Sequence, residues 1–172
     1  MEAVINSSIT NKTKIILYDF IALSVIYLTP TLSHILNFPV YYLDPMRLML
    51  FFVIIHTNKK NSYVIAATLP LVSFIFSSHP VLIKSLTMSA ELLLNVWLYY
   101  EFSKLFSNKF IPAALSILVS KVAYYAVKYL LVSAALLSTE IISTPLHFQI
   151  AVLIIIGVYA FFMIPRNNKL NS

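Results

Sequence analysis

The sequence predicts an all-α membrane protein, a six-transmembrane-helix bundle with both termini cytoplasmic. Three observations carry this expectation. Hydrophobic residues make up 60% of the 172 residues and charged ones 10%, with a mean hydropathy of +0.87, far from an average soluble domain. The apolar residues gather into runs, several near the roughly 20 residues that cross a hydrocarbon layer about 30 Å thick. Lysine and arginine fall unevenly among the connections between those runs.

The first run is Ile15–Leu36, with Pro30 as a kink. A polar-aromatic connection, Asn37–Asp44, leads to Pro45–His56, whose apolar centre Leu48–Ile55 is short for a span. Val64–Phe76 is also short and carries Pro70. Pro80–Tyr100, Ile111–Ser138 and Phe148–Ile164 complete the set of six. The fifth is long enough to tilt or to project beyond the bilayer. The chain therefore divides into a cytoplasmic N-terminal segment (1–14), a membrane domain (15–165) and a cytoplasmic tail (166–172). Met1–Asn11 is polar and the first run outlasts a signal-peptide core, so no cleavable signal is expected. No internal repeat is visible.

With six spans, both termini share a side with the second-to-third and fourth-to-fifth connections. Those segments hold Lys12, Lys14, Lys59, Lys60, Lys104, Lys109, Arg166 and Lys169, eight of the twelve basic residues. The opposite connections, Asn37–Asp44, Ser77–His79 and Thr139–His147, hold none. The bias places the termini inside, in a multi-pass protein of the cell membrane with the lipid bilayer as its surroundings. It also accounts for the net charge of +6 and removes the case for nucleic acid.

Several chemistries are excluded or unsupported. A single glycine leaves no glycine-rich nucleotide loop, and the absence of cysteine leaves no disulfide, zinc thiolate or cysteine nucleophile. His34, His56, His79 and His147 lie on different connections without paired spacing, so no metal and no cofactor are expected. No serine sits in a glycine-containing elbow. The chain is not expected to be an enzyme.

Glu91 and Lys121 instead draw the eye, as opposite charges near the middle of two apolar runs. An ionised group in hydrocarbon costs roughly 3 kcal/mol on insertion scales unless it faces a partner or a polar cavity. Counting from opposite surfaces at 1.5 Å per residue, both lie about 15 Å deep. Asn95 follows Glu91 by four residues and shares its face, and Lys84 precedes it by seven. Lys128 follows Lys121 by seven, with Tyr124 and Tyr125 between them. Arg47 either snorkels to the outer interface or pairs with Asp44 at i, i+3. His79 is either part of the site or only the polar start of a helix. The candidate substrate-binding set is thus Glu91, Asn95, Lys121, Tyr125, Lys128, Arg47, His79 and Lys84. A Glu91–Lys121 pair that only fixes helix register is the alternative. The set is net cationic, which suits a carboxylate-bearing or phosphorylated ligand.

Leu69-Pro70-Leu71-Val72-Ser73-Phe74, Ser78-His79-Pro80, Met88-Ser89-Ala90-Glu91-Leu92 and Ser120-Lys121-Val122-Ala123-Tyr124 follow one another in an order with a family likeness. So ordered, and with Pro45-Met46-Arg47 before them, they resemble the substrate-binding S components of energy-coupling factor (ECF) transporters. The resemblance covers roughly residues 43–131. It implies capture of a vitamin or similar micronutrient from outside and its delivery inward. It also implies a partner, a transmembrane coupling protein with two cytoplasmic ATPases. Ser78 and Asn95 stand where that family favours glycine. A standalone small transporter or channel, or an intramembrane lipid-modifying enzyme, is the alternative expectation.

Overall fold

The computed structural model describes residues 2–77 and 80–164. His79, Arg166 and Lys169 lie outside them. Among the described residues there are six α-helices and no strand: α1 (Glu2–Ile35), α2 (Pro45–His56), α3 (Lys59–Ser77), α4 (Leu82–Leu105), α5 (Phe110–Ser133) and α6 (Leu146–Met163). A 3-10 turn, Val40–Leu43, precedes α2. Among the described residues, three helices are long and apolar enough to cross a membrane: α1 over Lys12–Ile35, α5 and α6. Large apolar side chains such as Phe20, Leu130 and Phe162 lie exposed on them, so they present apolar surface outward rather than to the core.

Helix α1 begins well before the apolar run, because no glycine or proline interrupts Glu2–Asn11. It ends at Ile35, and just past that end Asn37, with a positive φ of 51°, lets the Phe38 N–H donate back to the Ser33 carbonyl, the bonding of a Schellman cap. Helix α2 starts at Pro45, whose fixed φ suits a first helical position. Its 12 residues reach about 18 Å, too short to cross a layer of about 30 Å. It lies inside the assembly, with Leu50, Phe51, Val53 and Ile54 buried. They pack into one core with Ala66 and Leu69 of α3, Val96 and Tyr99 of α4, Ile117 of α5 and Ile156 of α6.

Small residues bring the helices close. The Ser89 hydroxyl of α4 donates to the Ala67 carbonyl of α3 at 3.0 Å. Gly157 of α6 takes the Phe110 ring of α5 against its backbone; a Cβ there would lie 2.6 Å from the ring. Between α1 and α3 the Asn61 amide donates to Asp19 Oδ1 at 2.6 Å.

The fifth helix departs from expectation. The apolar run extends to Ser138, yet α5 stops at Ser133. Ala135 adopts a φ of 56°, its N–H donates to the Val132 carbonyl, and the Leu136 N–H donates to that of Leu131. This is a Schellman cap with alanine where glycine is usual. It frees residues 134–145 to fold back as a connection to α6.

Candidate functional site

A cavity of about 600 Å³ opens at the end of the bundle shared by the α1–α2 connection, the start of α4 and the α5–α6 connection. That volume lies within the roughly 300–1,000 Å³ typical of small-molecule sites. Pro30 and Ser33 of α1, Met88 of α4 and Tyr124 of α5 contribute to its wall, and the 3-10 turn adds Tyr41 and Tyr42. The Val40 N–H donates to Ser33 Oγ at 3.1 Å, which ties that turn to α1.

Four charges from four segments meet at the base. Asp44 precedes α2, Arg47 lies in its first turn, Glu91 comes from α4 and Lys121 from α5. Arg47 Nη1 lies 3.1 Å from Asp44 Oδ2, and Arg47 Nη2 donates to Glu91 Oε1. Lys121 Nζ lies 3.5 Å from Asp44 Oδ2. The acidic residues thus face two cations, and the group is neutral as a whole. Glu91 pairs with Arg47 and Lys121 with Asp44, so the ion pair between Glu91 and Lys121 weighed from the sequence does not form. The physical reason is positional: Arg47, only 2% exposed, needs a compensating carboxylate more than the part-buried Lys121 does. The i, i+3 contact of Arg47 with Asp44 exists, and the outward snorkel does not.

The Asp44 carboxyl, in the connection before α2, feels opposing influences. Burial pushes its pKa up, but Arg47 and Lys121 together outweigh this and hold it below the ordinary carboxylate value.

Of the sequence-predicted residues, Glu91, Lys121, Tyr125, Lys128 and Lys84 line the cavity. Arg47 is buried behind it and acts through Asp44 and Glu91. Asn95 does not line it: one turn further along α4 it is fully buried, its amide donating to Ser120 Oγ at 3.0 Å. The Asn95 carbonyl oxygen has no partner among the described residues. Tyr125 donates its hydroxyl to Gln149 Oε1 of α6 at 3.0 Å, and both side chains line the cavity.

Lys128 is 1% exposed and carries its charge to the α5–α6 connection. Its ammonium donates to the Ile141 carbonyl at 3.0 Å and to Ser143 Oγ at 2.9 Å. It also stands 5.8 Å from the centre of the Tyr124 ring. Ser143 and Gln149 are site residues that the sequence did not point to, and Asp44 entered only as a pairing partner for Arg47. Asp44 had a signal, its place three residues before Arg47. Ser143 had none, because it comes near Lys128 only through the early end of α5. Among the described residues, no three His, Asp or Glu side chains gather as a metal site.

Set against protein-family models, curated proteins and solved structures, the chain matches none.

Proposed function

We propose that the chain is a multi-pass membrane protein whose cavity captures a small molecule from outside the cell. In this reading it is the substrate-binding subunit of an ECF-type importer for a vitamin or related micronutrient. It would deliver its load through a transmembrane coupling protein driven by two cytoplasmic ATPases. The observation that carries the reading is the cavity itself. It is ligand-sized, lies toward one end of the helix assembly, and is walled by tyrosines and methionines around a few placed charges, the composition of a binding site.

The charge distribution supports the orientation. Lys59 and Lys60 open α3, Lys104 lies in the last turn of α4 and Lys109 just precedes α5, all at the end opposite the residues that line the cavity mouth. By the positive-inside rule that end faces the cytoplasm and the cavity faces out. All six helices then belong to the membrane domain, with α2 shielded from lipid by its neighbours. The buried ion network fits the same picture, since charges at membrane depth are kept where a cavity or partner uses them.

The test is mass spectrometry of small molecules retained by the protein purified in detergent, followed by binding of the identified compound. Glu91→Gln and Lys121→Gln are expected to lose that compound while eluting as folded monodisperse protein. Unchanged uptake by both variants would sink the reading. Topology is checked separately, because the chain has no cysteine of its own. A membrane-impermeant maleimide added to whole cells should label Ser138→Cys and spare Asn58→Cys. Co-purification of two ATPases with the tagged chain would favour the importer over a standalone carrier.

A further inference from the structure

The four charges at the base are not the whole of the cavity's charge. Asp44 and Glu91 are balanced there by Arg47 and Lys121, through contacts that already use the carboxylates. Two cations nearer the mouth have no such balance. Lys84, in the first turn of α4, lines the cavity and has no hydrogen bond or ion pair among the described residues. Lys128 lines it too, and its acceptors, the Ile141 carbonyl and Ser143 Oγ, are both neutral. An ammonium has three protons to donate, so these two acceptors leave one over. The nearby carboxylate of the connection, Glu140, is exposed and forms no ion pair with Lys128.

A lysine that is 1% exposed and has no carboxylate in contact is costly to keep ionised. An anion bound beside it removes that cost. Ser143, whose hydroxyl holds Lys128, and Thr144 add hydroxyls to the lining, and Tyr124, Tyr125 and Met88 add aromatic and apolar surface. Hydroxyls and ammonium groups are compact donors suited to the oxygens of phosphate or carboxylate, and aromatic side chains suit a ring. We infer that Lys84 and Lys128 form an anion subsite, and that the cavity takes a ring-bearing small molecule carrying a phosphate or carboxylate group. This rests on the capture reading above and names the class of what is captured. The same anion chemistry is offered by a phospholipid headgroup, and the test separates the two sources.

Protein in an uncharged detergent is heated with phenyl phosphate or with phenyltrimethylammonium, which share a ring and differ in charge. Phenyl phosphate should raise the unfolding midpoint in a dose-dependent way, and the cation should not. Lys84→Met should weaken the apparent affinity for phenyl phosphate roughly tenfold or more, as removal of a charged hydrogen-bond partner does. Lys128→Met should do the same, and Lys104→Met, at the other end of the bundle, should not. If Lys128→Met fails to fold, Lys84→Met alone decides. In nanodiscs, phosphatidylglycerol that raises the midpoint by itself and blunts the phenyl phosphate response would support the site and identify a lipid as its source. An unchanged response beside phosphatidylcholine and phosphatidylglycerol alike would support a water-soluble ligand. Stabilisation by the cation, or a phenyl phosphate response untouched by Lys84→Met, would overturn the anion subsite while leaving capture intact. No response to either probe, with no small molecule retained on purification, would overturn both.

Discussion

Replacing Arg47 with methionine removes the one side chain that Asp44 and Glu91 share. The effect on each carboxylate differs. Asp44 keeps Lys121 at 3.5 Å, whereas Glu91, 8% exposed, is left without a cation in contact. One buried charge is therefore stranded rather than two. Breaking a buried pair by removing one partner destabilises by about 3–5 kcal/mol. For a chain of this size each kcal/mol moves the unfolding midpoint by roughly 2–4 °C, so the expected fall is roughly 6–20 °C. The assay is the fraction of monodisperse protein after heating in detergent, read by size-exclusion chromatography. The decisive comparison is Arg47→Met with Glu91→Leu added. Removing both members of a buried ion pair in favour of apolar groups is often neutral or stabilising, so the double variant should regain most of the loss. A fall of less than about 3 °C for Arg47→Met, or a double variant as unstable as the single, would refute the account of the network.

Four other outcomes follow from particular contacts. Because the Asp44 carboxyl is held below its ordinary value, the stability it adds is present above that value and lost as pH falls through the lower folded one. A thermal midpoint measured against pH should hold steady down to about pH 4, then fall, and Asp44→Asn should lower it at neutral pH and flatten that acid limb. Ala135→Gly should stabilise by about 0.5–1 kcal/mol, since glycine takes the positive φ of 56° without the clash that alanine suffers; a loss in chemical unfolding would contradict the cap. Gly157→Ala should destabilise by about 1–3 kcal/mol by pushing on the Phe110 ring, and Phe110→Leu in the same chain should recover part of it in the same measurement. Trp97, 51% exposed on α4 and the sole tryptophan, should be quenched by phospholipids brominated on their acyl chains; fluorescence insensitive to them would refute the proposed burial of α4 in lipid.

The helices were legible to different degrees, for reasons that lie in particular residues. Pro45 marks the start of α2 from sequence alone, because its ring fits a first helical position. The sequence counted α3 from Val64, but the helix starts at Lys59: lysine, asparagine and serine are poor in a membrane yet tolerable in a helix. Hydropathy measures solvent preference and hides such polar turns. The end of α5 was illegible because Ala-Ala-Leu-Leu favours helix; the left-handed Ala135 is imposed by tertiary context. The site divides in the same way. Spacing along one helix grouped Lys84 with Glu91 and Lys121 with Tyr125 and Lys128, and all five line one cavity. Partner choice across helices was not available to it. Depth alone matched Glu91 with Lys121, while the rotation of α2 gives Glu91 to Arg47. Asn95 shares the helical face of Glu91 but lies a turn beyond the cavity, where Ser120 of α5 takes its amide.

The early end of α5 separates two jobs that a longer helix would have fused. The acceptors that hold the Lys128 ammonium belong to a connection, and the core-forming residues of α5 and α6 lie elsewhere. Exchanging Ser143 or altering the length between Ala134 and Pro145 would re-aim that ammonium while the packing of Ile117, Val152 and Ile156 stays as it is. Connections of this kind tolerate insertion far better than helix interiors. If the cavity captures a ligand as proposed, its selectivity is thus a replaceable part, seated on an architecture that need not be rebuilt to change it.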